Sequence, residues 1–335
     1  MTAPTGRPLR SGKLSAEFLA DLLAGLPAAP PELRLPPRVG EDACAIEIPG
    51  GVLIAATDPI TLSSVEIGRL AVIVNANDLA VTGARPRWFL AVILVPPGTG
   101  ESVVRDLFAA VGVALTEVGA FLVGGHTEVT PVVTRPIVIG QMLGLAEAGR
   151  FVATGGVVPG NVVVQVGPAP VEGAAVLAQE AVGRLGGMDT AMRAAAGAAF
   201  DRPGISVVEP ALLAARLGAS ALHDPTEGGL AAGLHELADA SGVRIRIDRR
   251  AVLWFEPGLA VCRALGADPW STLASGTLLA AFPAATVEVA LQAFAEQGYS
   301  AAAIGEAEPG SGVRDAAGRS IPRRERDEVD RVLLA

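Results

Sequence analysis

Apolar and polar residues recur with two different periods along the first half of the chain, and these periods predict helices and strands in turn. Segments with apolar residues every three or four positions predict helices over residues 14–26, 64–84 and 101–119. Short, densely apolar segments bounded by Gly or Pro predict strands over residues 43–48, 52–58, 87–96, 120–125 and 135–147. The pair Gly124-Gly125 is thereby expected at the end of a strand.

A glycine- and proline-rich stretch without periodicity, "AGRFVATGGVVPGN", follows and predicts a domain boundary. Beyond it the pattern predicts strands over residues 162–167, 243–248, 276–283 and 301–307, and helices over residues 172–183, 207–218, 230–242 and 285–298. Both halves mix strands and helices without a strict β-α-β alternation, so we predict an α+β fold. The expected domains are residues 1–148 and 155–335.

Composition narrows the function classes. Acidic residues outnumber basic ones by 35 to 26, a net charge of −9, which argues against a nucleic-acid-binding protein with a basic face. The sequence contains no run of about 20 apolar residues, so we predict no membrane helix. The first residues also lack the apolar segment of a secretion signal. Two cysteines, Cys44 and Cys262, provide neither a disulfide framework nor a metal knuckle. We expect a cytoplasmic protein.

Acidic and amide side chains lie at the ends of predicted elements in the first half. Asp42 precedes a strand, Asp58 ends one, and Asn75 and Asp78 share one face of an apolar helix, whereas Asn77 points elsewhere. Polar groups in such an apolar helix are costly unless they have partners. Oxygen ligands brought together from separate elements suit Mg²⁺ that carries phosphates, so the sequence predicts this kind of site.

The segment "FLVGGHTEV" places His126 directly after the glycine pair 124–125. Backbone amides of such a pair after a strand are able to wrap an anion. The ordinary pKa of His126 lies near working pH, so it is a candidate phosphate contact or base. A structural hydrogen bond or simple exposure of this histidine is the alternative.

The segment "HDPTEGGL" resembles the start of a helix whose N-terminal amides, from Gly228 and Gly229, face outward and bind an anion. Asp224 is a candidate reacting group, and His223 acts there or braces it. The alternative is a proline turn with a capping side chain. Neither a P-loop nor a dinucleotide-binding glycine pattern is present.

Lys13 is the single lysine of the chain and stands in "RSGKL", just before the first predicted helix. Its ammonium is a point charge able to reach a phosphate. A solvated lysine near the N-terminus is the alternative.

The order of the motifs "GEDACAI", "TDPI", "NANDLAVTGARP", "LVGGHTEV", "HDPTEGGL" and "LASGTLLAA" resembles that of the AIR synthase (PurM-like) superfamily. The resemblance spans roughly residues 11–305. Within this superfamily the chain is most similar to HypE, a hydrogenase maturation factor, and to AIR synthase-related proteins.

The resemblance implies an ATP-dependent enzyme with Mg²⁺ and a homodimer whose N-terminal mixed sheets join into a barrel, followed by a C-terminal α/β sandwich. By motif, Asp42, Asp58 and Asp78 carry over as metal ligands, and Lys13 matches the lysine of a segment that approaches phosphates.

Two departures from the family pattern change these expectations. The family usually has Asp or Glu after the glycine pair, where this chain has His126. A neutral imidazole binds Mg²⁺ poorly, so Glu128 is the alternative ligand. HypE acts through a cysteine at its C-terminus, whereas this sequence ends in "EVDRVLLA", and we do not expect carbamoyl dehydration on its own tail. Glu227 also stands where HypE generally has Arg.

We therefore predict an enzyme that uses Mg²⁺ and ATP to phosphorylate or activate a small or acyl-type substrate, without nucleic-acid or membrane partners. One alternative is a non-catalytic nucleotide-binding maturation factor with a partner protein. The other is thiamine-monophosphate kinase, although the Gly-His-Phe that usually follows the "TDPI" motif in that kinase is replaced here by "TLSS". The candidate residues are His126, Asp224 and His223 for catalysis; Lys13, Thr57, Asn75, Asn77, Gly124, Gly125, Thr127, Gly228 and Gly229 for the nucleotide; and Asp42, Asp58, Asp78 and Glu128 for metal.

Overall fold

The computed structural model describes residues 13–146 and 150–334. Its strands are β1 (Leu33–Leu35), β2 (Ala43–Ile48), β3 (Gly51–Pro59), β4 (Arg85–Val95), β5 (Phe121–Val129), β6 (Ile137–Ala146), β7 (Asn161–Val166), β8 (Ala221–His223), β9 (Arg244–Ile247), β10 (Leu278–Pro283), β11 (Ala301–Glu308) and β12 (Gly312–Asp315). Its α-helices are α1 (Ala16–Ala24), α2 (Ile67–Ala80), α3 (Glu101–Val118), α4 (Glu172–Glu180), α5 (Thr190–Gly197), α6 (Val208–Arg216), α7 (Gly229–Ser241), α8 (Glu256–Leu265), α9 (Val287–Glu296) and α10 (Glu328–Leu333).

The N-terminal unit is a mixed sheet in the order β1-β2-β3-β6-β4-β5, in which only the β4–β5 pair is parallel among the described strands. Helix α2 contacts α3, β3, β6 and α6, and nearly all of its residues are buried. A helix that is apolar on every side is stable only when it is covered on every side. The polar residues of α2 are therefore held in the interior, at the junction of the two units.

Strand β5 is one edge of this sheet, opposite β1, and all nine of its residues are exposed. The strand continues through the glycine pair as far as Val129, so the expected turn after Gly125 is wrong. At Gly125 the backbone of β4 approaches so closely that a Cβ atom would lie 2.0 Å from the Ala91 carbonyl oxygen. The glycine is needed for this approach and does not form an anion-binding loop.

The C-terminal unit has a second mixed sheet in the order β12-β9-β11-β7-β10-β8. The sequence pattern predicted β7, β9, β10 and β11 but missed β8, β12, α5, α8 and α10, which are short or are interrupted by polar residues. His235 on α7 bonds the backbone oxygen of Ile321 at 2.8 Å through Nε2, which ties the C-terminal segment to this unit. None of the helices in the described ranges is both long and apolar enough to cross a bilayer.

One apolar core runs through both units, and Asn77 on α2 joins them by hydrogen bonds. Its Nδ2 donates to the Ile205 backbone oxygen and its Oδ1 accepts from the Val207 amide, both at 2.8 Å. Both ends of the amide are thus engaged, which corrects the expectation that Asn77 binds the nucleotide. The predicted domain boundary falls in the connection between β6 and β7, of which residues 147–149 lie outside the described residues.

We expect Asn77→Ala to lower the free energy of unfolding by about 2–5 kcal/mol, because it leaves two buried backbone groups without partners. Urea denaturation measures this change. Gln292→Ala is the matched control: Gln292 bonds only the exposed Glu296, so its loss costs less than about 0.5 kcal/mol. Equal stability losses in the two variants would contradict this role of Asn77.

Candidate functional site

Four aspartates from both units lie close enough to influence one another's ionisation. Asp42 precedes β2, Asp58 lies in β3, Asp78 in α2, and Asp224 directly follows β8. Burial, followed by the charges of Asp224, Asp58 and Asp42, raises the pKa of Asp78 well above its usual value. Burial also raises the pKa of Asp58 to about 6, although Lys13 opposes the shift. We call these four residues the acidic cluster.

Asn75 fixes the position of Asp58. Its Oδ1 accepts from the Asp58 amide at 2.8 Å, and its Nδ2 donates to the Asp58 and Ala71 backbone oxygens at 3.1 and 2.8 Å. Both N–H groups of Asn75 thus hold backbone oxygens, which leaves only its Oδ1 for a further contact, and the predicted role of Asn75 at the nucleotide stays a prediction. The neighbouring Thr57 hydroxyl donates to the Gly140 oxygen at 2.8 Å. Gly140 is required because a Cβ there would lie 2.5 Å from Asn75 Nδ2.

His223 links the acidic cluster to helix α7. Its Nδ1 lies 3.1 Å from Asp42 Oδ2, and its Nε2 lies 3.0 Å from Glu236 Oε2. Burial opposes charge on the ring, but Asp42 and Glu236 outweigh it and raise the pKa of His223 well above its usual value. Glu236 is bonded in turn by Arg323 at 2.9 Å. Because both ring nitrogens face carboxylates, His223 is placed to orient Asp42 and has no ring nitrogen left for a substrate proton.

Lys13 brings a positive charge to the same place. Its Nζ donates to the Thr226 hydroxyl at 3.4 Å. Burial opposes the charged form, but Glu236, Asp42 and Glu227 raise the pKa of Lys13 above its usual value. The ammonium therefore stays charged among carboxylates, where a phosphate group is able to contact it.

The acidic cluster contains carboxylate oxygens that lack partners. Both oxygens of Asp224 are buried without a hydrogen bond, and Asp224 is 1% exposed. Buried carboxylates without donors are costly unless a cation balances them. No group of three or more His, Cys, Asp or Glu side chains in the described ranges is arranged to hold a metal ion by itself. Mg²⁺ binds carboxylate oxygens together with water and phosphate oxygens, so the acidic cluster fits this cation.

The candidates on β5 lie apart from this cluster. His126 Nε2 is 3.5 Å from Glu128 Oε2, and their side chains are 65% and 53% exposed. Neither is among the main groups that shift the pKa values of the cluster. Gly124, Gly125 and Thr127 share the same exposed strand. In this single chain the structure therefore does not bring these five candidates to the aspartates.

One backbone amide of the glycine pair at the start of α7 is already hydrogen-bonded within the protein. The Gly228 amide donates to Asp327 Oδ2 at 2.7 Å, so this amide does not face outward as expected. At Gly229, φ is +66° and a Cβ would lie 2.6 Å from the Thr272 oxygen, so glycine is required there. The pair serves close packing at the site, and one of its amides is already used.

Three acids at the site were missed from the sequence: Glu172, Glu236 and Asp327. Burial raises the pKa of Glu172 and of Asp327 to about 7 each. Glu172 opens the apolar helix α4, so the cost of a polar group among apolar residues would have indicated it, as it did for Asp78. Asp327 stands in a charged stretch of the chain, and Glu236 follows His235 in a helix with a polar face, so neither gives such a signal.

These raised pKa values predict that apo-protein stability falls as pH rises. Glu172 and Asp327 titrate near 4 in the unfolded chain, so the folded protein binds more protons between pH values of about 4 and 7. The stability that each carboxyl contributes is complete below this window and is lost through it, by roughly 3–4 kcal/mol for each carboxyl. The pKa of Glu236 is lowered to about 2, so its contribution to stability changes only below this pH window. Urea unfolding in EDTA at several pH values measures the slope, which is expected to be smaller in Glu172→Gln; rising stability would contradict the assignment.

A cavity of about 540 Å³ lies elsewhere in the C-terminal unit, between α5 and α8. Arg184, Met188, Glu256 and Arg263 are among its lining residues, and no member of the acidic cluster is. Cavity volume alone therefore does not identify the acidic cluster as the candidate functional site.

Two α+β units that meet at a buried acidic cluster define a two-domain protein of the AIR synthase type. The profile of the "AIR synthase related protein, N-terminal domain" matches residues 40–146, and that of the "AIR synthase related protein, C-terminal domain" matches residues 158–316. The chain belongs to the AIR synthase related family. This confirms the predicted superfamily and the two-domain, α+β, PurM-like fold.

Two relatives are similar to this chain over most of their length. Carbamoyl dehydratase HypE of Rhodobacter capsulatus is 30% identical over 88% of this chain and 86% of its own. Hydrogenase expression/formation protein HupE of Azotobacter chroococcum mcd 1 is 32% identical over 79% and 78%.

Solved structures share the fold. HypE in complex with ATP has a TM-score of 0.71 at 24% identity, covering 87% of this chain and 90% of that one. AaThiL complexed with AMPPCP and TMP has a TM-score of 0.72 at 21% identity, covering 92% and 94%. A HypE–HypF complex has a TM-score of 0.68 at 22% identity, covering 85% and 94%.

Proposed function

We propose that this chain is an ATP-dependent enzyme that uses Mg²⁺ to phosphorylate or activate an oxygen of a small or acyl-type acceptor. The observation that carries the proposal is the acidic cluster with its orphaned carboxylate oxygens and the adjoining Lys13 ammonium. Family membership supports it, as do the ATP-bound HypE and the AMPPCP-bound ThiL of the same fold.

Each residue of the site has a definite task in this proposal. Asp42, Asp58 and Asp78 hold Mg²⁺, which, when bound, screens phosphate charge against the attacking group. Lys13 adds a positive charge that contacts the phosphates, and before ATP binds it partly balances the negative charge of the acids. His223 orients Asp42 from the C-terminal unit. Asp224, with two unpaired oxygens, faces the same place and is the remaining candidate for contact with the reacting groups.

Release of ADP or phosphate tests the proposal. Purified protein with Mg²⁺ and ATP is incubated with a panel of acceptors that includes amides, carboxylates and thiamine monophosphate. Acceptor-stimulated turnover supports an enzyme, and turnover with thiamine monophosphate identifies the kinase alternative. Tight ATP binding without turnover toward any acceptor favours the non-catalytic maturation factor, for which the HypE–HypF complex supplies a precedent of a partner protein.

We also propose that the chain forms a homodimer through β5, whose edge is unpaired and whose side chains are exposed. Val123→Asp is expected to convert dimer to monomer in light scattering, because it places a charge on an apolar edge strand. Val113→Asp on α3 is the matched control, since Val113 and Val123 are exposed to 59% and 55%. A monomeric wild type, or equal effects of both variants, would contradict this interface.

A further inference from the structure

Arg323 belongs to a C-terminal segment that the proposed metal site does not use. The segment follows β12 and lies beyond the residues that match the family's C-terminal domain. Hydrogen bonds fix it to α7 on both sides of Arg323. The Ile321 backbone oxygen bonds a histidine of α7 at 2.8 Å, and Asp327 Oδ2 accepts from the Gly228 amide at 2.7 Å. The backbone around Arg323 is therefore held against α7.

A series of polar contacts runs from Arg323 to the acidic cluster. Arg323 Nη2 donates to Glu236 Oε1 at 2.9 Å, and Glu236 Oε2 lies 3.0 Å from His223 Nε2. His223 Nδ1 in turn lies 3.1 Å from Asp42 Oδ2. N–H groups and carboxylates alternate along these four side chains, so each side chain restricts the position of the next. We call these four residues the ion-pair series.

Close packing holds the backbones around the ion-pair series together. Gly40, two residues before Asp42, has a φ of +85°, and a Cβ there would lie 3.7 Å from Glu236 Cβ. At Gly233 on α7, a Cβ would lie 2.6 Å from Pro225 Cβ, so α7 also approaches the turn after β8 closely. The side chain of Glu236 is only 12% exposed. Solvent therefore screens its contacts less than those of a surface ion pair.

We propose that Arg323 and Glu236 are positioning residues of the metal site, which act through His223 to hold the Asp42 carboxylate in the orientation that binds Mg²⁺. The inference rests on the proposed function and adds a role for the C-terminal segment. Because His223 holds Asp42 Oδ2, the carboxylate is restrained from rotating while its other oxygen faces the cation. Partners behind a metal ligand orient it in this way, and their loss typically weakens metal binding by about 10- to 100-fold.

The dependence of nucleotide binding on free Mg²⁺ tests this role. Calorimetric titration of the full chain measures the affinity for a non-hydrolysable ATP analogue at several concentrations of free Mg²⁺. The readout is the Mg²⁺ concentration that gives half of the maximal affinity. We expect Arg323→Met to raise this concentration by about tenfold. At saturating Mg²⁺ the affinity should return to that of the wild type, because Arg323 does not contact the nucleotide. Damage to the fold alone would instead lower the affinity at every Mg²⁺ concentration.

Three further variants define the path of the effect. Arg323→Lys keeps the charge and should lie between the wild type and Arg323→Met. Asp239→Asn is the matched control and should leave the half-maximal Mg²⁺ concentration unchanged, because Asp239 is the other, exposed partner of Arg323, at 3.6 Å. In a His223→Asn background, Arg323→Met should change this concentration by less than about twofold, since the contact with Asp42 is already lost. Thermal melting verifies that each variant is folded.

The two proposals fail in different ways. If the wild type binds the analogue with a dependence on Mg²⁺ that Arg323→Met does not alter, only the positioning inference is overturned. Additive effects of Arg323→Met and His223→Asn would also overturn it alone. If binding to the wild type does not depend on Mg²⁺, the proposed function is overturned, and the positioning inference with it.

Discussion

Asp78→Asn is expected to lower kcat/KM for ATP by about a thousandfold, a loss of about 4 kcal/mol. The substitution keeps the shape of the side chain but removes a carboxylate that is 4% exposed and surrounded by Asp224, Asp58 and Asp42. The same change should stabilise the protein without metal, because it removes a buried charge from beside three like charges. An increase of several degrees in Tm in EDTA is expected.

These two effects have opposite signs, which separates a functional acid from a structural one. Wild type should gain Tm when Mg²⁺ and ATP are added, and Asp78→Asn should gain none. Asp106→Asn, on the exposed face of α3, is the control and should leave both turnover and stability unchanged. A less stable Asp78→Asn that retains turnover would show that Asp78 supports the fold and not the chemistry.

Lys13→Met is expected to have the second largest effect, a decrease in kcat/KM for ATP of about a hundredfold, or about 3 kcal/mol. The ammonium lies among Glu236, Asp42 and Glu227, so its loss removes a positive charge that a phosphate at the cluster is able to contact. It also leaves these acids without compensation, so the Tm in EDTA should fall. Steady-state ATPase kinetics and melting curves measure the two effects.

Lys13→Arg restores the charge but not its compact shape, and turnover should lie between wild type and Lys13→Met. Arg34→Met is the control, because Arg34 is exposed and pairs only with the exposed Glu47 in the described contacts. Unchanged turnover in Lys13→Met would return Lys13 to the status of an ordinary residue near the N-terminus.

The sequence predicted the fold class because the apolar periods of the long elements survive in both units. Helix α2 and strands β3 and β4 lie close to where the pattern placed them. Strand β5 was predicted too short, since glycine usually ends an element, whereas Gly125 here allows close contact with Ala91 inside a strand. Close approach between two backbones leaves no mark on the hydrophobic pattern.

The candidate site was predicted in part, and the differences have physical reasons. The cost of polar groups in the apolar helix α2 correctly indicated Asp78 as a member of a buried cluster. The same cost cannot distinguish a side chain that binds a ligand from one that only holds neighbouring backbone groups in place. Asn75 and Asn77 gave that signal because their amides hold backbone groups at Asp58 and Ile205. Asp327 comes from a segment distant in sequence, and its contact with Gly228 depends on tertiary structure alone.

Calorimetric titration of ATP into the wild-type protein, with Mg²⁺ and then with EDTA, tests the central claim most directly. If aspartates from both units converge to hold a divalent cation with its triphosphate, ATP binds when Mg²⁺ is present and its affinity falls by at least about a hundredfold in EDTA. Equal affinity under both conditions, or no binding under either, would contradict the account.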